Sequence, residues 1–179
     1  MTLHELLALF TSKNIEYTTA HLDAVDQNAQ LTDVASDSRE VTPGSLFVCK
    51  GAHFSPAYLT SAVEAGAVVY LCEQSLSEEL QAVAPHVAAI CVDDVRLAMA
   101  YAAAGVAGHP DKKLTTIGIT GTKGKSTCSY MLRAILDGDE PYSKCGVIGG
   151  IEVFDGKETQ PAHNTTPEAP ELWRHLKHA

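Results

Sequence analysis

A glycine-rich stretch at residues 118–127, Gly-Ile-Thr-Gly-Thr-Lys-Gly-Lys-Ser-Thr, contains the residues best suited to chemistry. When such a turn leads into a helix, its backbone N–H groups and the positive helix end converge on one point, which suits a polyphosphate. In this pattern Lys125 contacts the β- and γ-phosphates, and the hydroxyl of Ser126 is a ligand of Mg²⁺. The stretch therefore predicts a site for ATP and Mg²⁺.

The match to a phosphate-binding loop is incomplete, because the strict pattern G-x-x-x-x-G-K-[ST] needs glycine where this chain has Ile119. Its surroundings favour it, since residues 114–117 have the β-branched character of a strand and residues 128–136 have helical character. The alternative is an ordinary strand-to-helix turn with solvated lysines. The predicted phosphate cradle consists of Gly121, Thr122, Lys123, Gly124, Lys125, Ser126 and Thr127. Within it, Lys123 also fits a purely solvent-facing role.

Two other polar segments have residue types suited to binding. Residues 36–48 read Ser-Asp-Ser-Arg-Glu-Val-Thr-Pro-Gly-Ser-Leu-Phe-Val, and residues 163–168 read His-Asn-Thr-Thr-Pro-Glu. Taken alone, the first is typical of a capping turn and the second of a loop with local side-chain hydrogen bonds. The amide and hydroxyls of the second segment also suit phosphate and carboxylate, because they form hydrogen bonds without adding charge.

Composition limits the class of protein. The 179 residues have a net charge of −9, which argues against general nucleic-acid binding. No apolar run approaches the length of a membrane span, and the N-terminus lacks the features of a secretion signal. The five cysteines form no C-x-x-C pair and are typical of buried, reduced thiols. We therefore expect a cytoplasmic protein that binds neither nucleic acid nor membrane.

Alternating helix and strand patterns predict an α/β fold with mostly parallel pairing. Predicted helices span residues 2–10, 56–66, 76–83, 96–107 and 171–177. Predicted strands span residues 41–49, 67–72, 87–92, 114–117 and 144–154, and residues 161–170 are expected to form a loop. We expect Asp93 or Asp94 to cap the fourth helix. His175 and His178 share a helical face near the chain end, and we expect them to be solvated.

The sequence also indicates two domains, residues 1–110 and 111–179, separated near Gly108-His-Pro110. Only two strands are recognisable after residue 113. A phosphate-loop domain needs several strands, because its central strand must be covered on both faces. We therefore expect the chain to be part of a longer protein, or its second half to be stabilised by another molecule.

In their order along the chain, these segments resemble the Mur ligases of peptidoglycan synthesis. The Asp-Ser-Arg…Pro-Gly-Ser-Leu-Phe-Val pattern is similar to the first domain of the enzymes that add the third residue and the terminal dipeptide. The Asn-Thr-Thr-Pro motif after the phosphate loop favours the enzyme that adds the third residue. The resemblance covers essentially the whole chain. It implies a UDP-sugar-binding α/β domain at residues 1–110 and the beginning of a central ATP-binding domain at residues 111–179.

The resemblance also implies roles for individual residues. It places Ser36 and Ser38 at the uridine-diphosphate part of the substrate, and Ala52, His53 and Phe54 at the loop beside uracil. It makes Asn164, Thr165 and Thr166 the bridge between ATP and the sugar-peptide, and it makes Lys125 the catalytic cation.

The reaction implied by the resemblance forms an amide bond. ATP phosphorylates the carboxylate of UDP-N-acetylmuramoyl-L-alanyl-D-glutamate, and the amine of a diamino acid attacks the acyl phosphate. Protein and Mg²⁺ must offset the charge where two anions meet. The 179 residues alone are expected to be inactive, because the family's amino-acid site and further metal ligands lie outside them. The alternatives are the dipeptide-adding Mur ligase, a folylpolyglutamate synthetase, or a non-catalytic module that binds a UDP-sugar or nucleotide.

Overall fold

A computed structural model describes residues 1–139, 145–162 and 166–179, and the chain divides into two compact units, Met1–Gly108 and His109–Ala179. The helices of the first unit are α1 (Leu3–Ser12), α2 (Pro56–Glu64), α3 (Ser77–Val83) and α4 (Val95–Ala107). Its strands are β1 (Tyr17–Ala20), β2 (Val34–Ala35), β3 (Leu46–Cys49), β4 (Val69–Glu73) and β5 (Ala88–Val92).

The five strands form one sheet in the order β1-β5-β4-β3-β2. Strands β2 to β5 run parallel, and β1 joins the edge antiparallel, with Tyr17 opposite Val92. The α/β prediction is therefore confirmed, with a mostly parallel sheet in this unit. Strand β1 was not predicted, although its Tyr-Thr-Thr sequence is rich in residues that favour strands.

The core of the first unit lies on both faces of this sheet. Every residue of β3 and β5 is buried, as expected for parallel strands covered by helices. Cys49, Cys72 and Cys91 lie side by side in register and are buried, which confirms them as core thiols. In the second unit Cys128 is exposed and Cys145 is half-buried, so the expectation of a buried thiol is wrong for Cys128. Burial raises the pKa of the Cys49 thiol well above its usual range, so this side chain stays neutral.

Short-range capping accounts for the start of α1 and for both ends of α4. Thr2 and Glu5 form a reciprocal capping box at the start of α1. Asp94, one of the two predicted caps, accepts a hydrogen bond of 2.9 Å from the Leu97 N–H and caps α4. Gly108 ends α4 in the left-handed conformation with φ of 82°.

The second unit contains helices α5 (Lys125–Asp137) and α6 (Ala169–His178) and strands β6 (Val147–Ile148), β7 (Glu152–Phe154) and β8 (Thr159–Pro161). These strands form an antiparallel sheet in the order β6-β7-β8, so the expectation of mostly parallel pairing is wrong here. The single strand predicted for residues 144–154 is instead two strands joined by a turn. Residue 144 lies outside the described residues, and β8 reaches into the predicted loop.

The strand predicted for residues 114–117, directly before the predicted phosphate loop, is not formed. Ile117 is 56% exposed, and none of the described strands pairs with this segment. A β-branched sequence favours a strand only where a neighbouring strand supplies hydrogen bonds and a packing surface. The prediction is therefore wrong for this chain, because that neighbour is not among its described strands.

No helix in the described ranges is both long and apolar enough to cross a membrane.

Candidate functional site

The amino end of α5 has the backbone geometry of an anion site. Gly124 precedes the helix with φ of 78°, a left-handed conformation that glycine adopts without strain. The first helical hydrogen bond runs from the Cys128 N–H to the Gly124 carbonyl, 2.9 Å long. The N–H groups of residues 125–127 have no partner inside the helix, and no described side chain caps them. These three donors and the helix dipole favour a bound anion.

Lys125 is held close to these donors. Its ammonium Nζ donates a hydrogen bond of 2.7 Å to the carbonyl oxygen of Gly121, so the side chain folds back over the loop. The side chain is half-buried, whereas Gly121 to Gly124 are exposed. The positive charge therefore lies beside an open loop and helix end. There it can exchange the Gly121 carbonyl for a phosphate oxygen.

The remaining cradle residues differ in exposure. Ser126, at the second position of α5, is half-buried, whereas Thr122, Lys123 and Thr127 are exposed. A single hydroxyl fits Mg²⁺, since this ion is held by one or two protein ligands together with phosphate oxygens and water. Within the described ranges, His, Cys, Asp and Glu form no group of three or more that could hold a metal by itself. Any Mg²⁺ at Ser126 would therefore depend on nucleotide phosphates.

A second set of predicted residues lies in the first unit. Ser36 and Ser38 follow β2, and residues 52–54 follow β3. These two strands are parallel neighbours, with Ala35 paired to Phe47. Both loops therefore leave the sheet at its carboxyl edge, which is where open α/β sheets bind ligands.

An ion pair shapes the turn between the two serines. Asp37 accepts hydrogen bonds at Oδ1 from the backbone N–H of Arg39 and from its Nε, each 2.9 Å long. The guanidinium also binds Oδ2 of the same carboxylate. The side-chain hydrogen bond from Arg39 is the main reason why the pKa of Asp37 falls to about 2. This bracing leaves Ser36 and Ser38 half-buried on either side of Asp37.

The loop after β3 is anchored by one of its three predicted residues. Phe54 donates its N–H to the Gly51 carbonyl at 3.1 Å. Its ring packs edge-on against Tyr58, with the ring centroids 6.3 Å apart. Ala52 and His53 are exposed. The imidazole of His53 is therefore open to a ligand at this edge.

The predicted bridging segment is only partly described. Asn164 and Thr165 lie outside the described residues. Thr166 is exposed and precedes Pro167, which is buried, and α6 begins at Ala169.

One polar cluster was not anticipated. His175 is buried, which contradicts the expectation that it is solvated, and both His175 and His178 lie close to the carboxylate of Asp155. Burial raises the pKa of Asp155, but backbone hydrogen bonds from Glu158 and Lys157 and the contacts with the two histidines outweigh it and lower this pKa to about 2. The spacing of the two histidines was visible in the sequence. Their acidic partner was not, because it lies 20 residues before His175 on a different element.

Comparison with known proteins finds relatives whose names describe related enzymes. No family model matches the chain. The UDP-N-acetylmuramyl-tripeptide synthetase of Latilactobacillus sakei subsp. sakei is 37% identical over 157 residues, which are 86% of this chain and 29% of that protein. The UDP-N-acetylmuramoyl-L-alanyl-D-glutamate--2,6-diaminopimelate ligase of Streptomyces coelicolor is 38% identical over 151 residues, which are 83% of this chain and 29% of that protein.

Solved structures agree in fold. A UDP-N-acetylmuramoyl-L-alanyl-D-glutamate--2,6-diaminopimelate ligase aligns with 99% of this chain and 33% of its own, with a TM-score of 0.62 and 19% identity. MurF from Acinetobacter baumannii aligns with 74% of this chain and 27% of its own, with a TM-score of 0.52 and 25% identity. The chain spans about three tenths of the length of the curated relatives. Over that length, the chain is a homologue of the Mur ligases.

Proposed function

We propose that this chain is the part of a Mur ligase that binds the UDP-sugar and begins the ATP site. The whole protein would be an ATP-dependent ligase that adds a diamino acid to UDP-N-acetylmuramoyl-L-alanyl-D-glutamate. The observation that carries the proposal is the amino end of α5, where three N–H donors and Lys125 meet beside an exposed glycine loop. The names and the sequence identity of the relatives support the same reaction.

In the second unit, the proposed task is to hold the terminal phosphates of ATP. The N–H groups of residues 125–127 donate to phosphate oxygens, and Lys125 neutralises the charge that grows as the phosphoryl group is transferred. Gly121, Thr122, Gly124 and Thr127 form the rest of the cradle, and Lys123 adds positive charge at its rim. Mg²⁺, held in part by Ser126, supplies further neutralisation of phosphate charge.

In the first unit, the proposed task is to bind the uridine-diphosphate part of the substrate at the carboxyl edge of the sheet. Ser36 and Ser38 would donate hydrogen bonds to it, and the loop 52–54 would receive the base. The Asp37–Arg39 pair supports this role, because it fixes the backbone between the two serines. Asn164, Thr165 and Thr166 are proposed to bridge ATP and the sugar-peptide.

Nucleotide titration tests the phosphate-loop proposal. A fluorescent ATP analogue with Mg²⁺ should bind the 179-residue chain, and Lys125→Ala should weaken this binding by about tenfold or more, because a charge-assisted contact to phosphate is lost. Lys157→Ala, which removes a lysine elsewhere in the same unit, is the control and should bind like the wild type. Equal affinity of the Lys125→Ala variant and the wild type would contradict the proposed role of this lysine.

Ligation needs a separate test, because the chain is so much shorter than its relatives. A version extended to their full length should join 2,6-diaminopimelate or another diamino acid to the UDP-linked dipeptide, and its Lys125→Ala variant should not. The non-catalytic binding module remains the second candidate, since the 179 residues alone are proposed to bind without ligation. An extended protein that binds both substrates but forms no amide would favour that candidate.

Calorimetry tests the first unit. The 179-residue chain should bind UDP-N-acetylmuramoyl-L-alanyl-D-glutamate weakly, with a heat that shrinks in the Ser36→Ala and Ser38→Ala double variant. Heat equal to that of dilution at millimolar ligand would argue against a UDP-sugar site.

A further inference from the structure

The cluster of Asp155, His175 and His178 joins α6 to the hairpin formed by β7 and β8. The side chain of Asp155 is 2% exposed, and its Oδ2 lies 3.5 Å from Nδ1 of His175 and 3.3 Å from Nδ1 of His178. Its other oxygen, Oδ1, accepts hydrogen bonds from the backbone N–H groups of Lys157 and Glu158 at 3.1 and 3.0 Å. The carboxylate is therefore held in place by its own hairpin and presents one oxygen to the helix.

His175 has a carboxylate on each side of its ring. Its Nδ1 faces Asp155, and its Nε2 lies 3.9 Å from Oε1 of Glu171. Nδ1 is buried and makes no hydrogen bond of regular geometry within the described part of the chain. A neutral imidazole carries a hydrogen on only one nitrogen, so it can donate to only one of the two carboxylates. Only the protonated ring offers an N–H to both.

The position of the two histidines on the helix is a second feature of the cluster. Both lie in the last turn of α6, where the helix dipole stabilises positive charge. The charged and titratable groups around them are Glu171, Arg174 and Lys177 on α6, Asp155, Lys157 and Glu158 on the hairpin, and His109, Asp111 and Lys112 at the 3₁₀ turn that packs on α6. In that turn, His109 pairs with Asp111 at 3.5 Å and its ring contacts Trp173.

We propose that Asp155, His175 and His178 form a proton-dependent latch that fastens α6 to the β7–β8 hairpin. With the imidazoles protonated, the Nδ1–H of His178 donates to Asp155, the positive ring of His175 faces the same oxygen, and the latch is closed. Loss of these protons removes the positive charge that the buried carboxylate faces, and the latch weakens. Because α6 begins three residues after Thr166, the latch would also anchor the carboxyl side of the segment that precedes the helix.

Hydrogen exchange of the 179-residue chain tests the latch, read by mass spectrometry at pH 5.5 and 8.0 and corrected for the intrinsic exchange rate. Histidine is the side chain that ordinarily changes charge between these values. Amides of α6 should be at least about tenfold better protected at pH 5.5, as expected for a hydrogen bond to a charged group. The amides of α4, in the first unit, serve as the reference.

Three variants separate the latch from general packing. Asp155→Asn should abolish the difference between the two pH values, and His178→Gln should reduce it. His178 is 61% exposed, so this second change removes a proton site with little loss of packing. His86→Gln, an exposed histidine of the first unit, should behave as the wild type. The proposal is wrong if the wild type shows equal protection at both pH values, if α6 is unprotected at both, or if Asp155→Asn and His178→Gln retain the full difference.

Discussion

At the scale of single residues, the proposed ATP site depends on one glycine and one lysine. Gly124 supplies a left-handed backbone directly before α5, and this conformation turns the loop so that three N–H groups are left without partners. Lys125 then places its ammonium on the Gly121 carbonyl, 2.7 Å away. The proposed anion site is therefore formed by backbone geometry before any ligand arrives, and the lysine adds positive charge to it.

We predict that Gly124→Ala destabilises the second unit by about 1 kcal/mol, because a side chain at φ of 78° is strained even where space is open. Urea unfolding followed by the fluorescence of Trp173, the single tryptophan, measures the change. Gly118→Ala is the matched control, since its added Cβ also meets nothing within 4 Å and its backbone is not left-handed. Equal effects of the two substitutions would show that conformation at Gly124 is not the cause.

Asp155 makes the stability of the second unit sensitive to acid. Its pKa in the folded chain is lowered to about 2, below the usual value near 4, so its contribution to stability is present above about pH 4 and is lost as pH falls towards 2. The urea midpoint reported by Trp173 should therefore decline through this window. The decline should be smaller in Asp155→Asn, which cannot ionise, and unchanged in Asp139→Asn, an exposed acidic residue. An identical decline in Asp155→Asn would contradict this account.

At the scale of helices and strands, burial decides which apolar residues stabilise the chain. In the first unit, Leu59 on α2 is fully buried against the sheet, whereas Leu97 on α4 is 46% exposed. In the second unit, α5 exposes Met131, Ile135 and Leu136 by 63%, 75% and 48%. Met131, Ile135 and Leu136 therefore contribute less to the core of this chain than the buried residues of the first unit do.

We predict that Leu59→Ala lowers the free energy of unfolding of the first unit by about 2–5 kcal/mol, because it removes buried methyl groups and leaves a cavity. Leu97→Ala, the same change at an exposed helix position, should stay within about 0.5 kcal/mol of the wild type. Urea unfolding followed by circular dichroism provides both values. If the two variants lost similar amounts of unfolding free energy, the result would contradict the difference in burial between Leu59 and Leu97.

At the scale of the whole molecule, the chain consists of two compact units with different sheets. The first has a five-stranded sheet covered on both faces, and the described residues of the second form three short antiparallel strands and two helices. The domain boundary proposed near residue 110 lies close to the division at Gly108. The first unit therefore has the core of an independent domain, whereas few large apolar residues are buried in the described part of the second.

We predict that residues 1–108 fold alone, because the core of the first unit lies within them. The isolated piece should unfold in urea cooperatively, with a midpoint near that of the same unit in the full chain, as measured by circular dichroism. The isolated piece 109–179 serves as the comparison and should be much less stable. A piece 1–108 without a cooperative transition would argue against the domain boundary.

The sequence alone determined what depends on near neighbours along the chain. The α/β class, the helices capped by Thr2 and Asp94, and the buried strands β3 to β5 follow from local capping and apolar pattern. The helix after the phosphate loop also follows from such local patterns. The helices are predictable because their hydrogen bonds are made within the element itself, and the strands β3 to β5 are recognisable because their apolar runs mark them as buried, although their pairing partners lie elsewhere in the chain.

Only the tertiary structure decided which distant segments meet. Residues 114–117 have the composition of a strand but lack a partner in the described chain, so they remain irregular. Residues 147–154 fold into two antiparallel strands that pair with each other, and a third strand, β8, pairs with the second of them. Asp155 meets His175 and His178 across 20 residues or more. Strand pairing and buried ion pairs depend on long-range contacts, which the order of residues along the chain does not specify by itself.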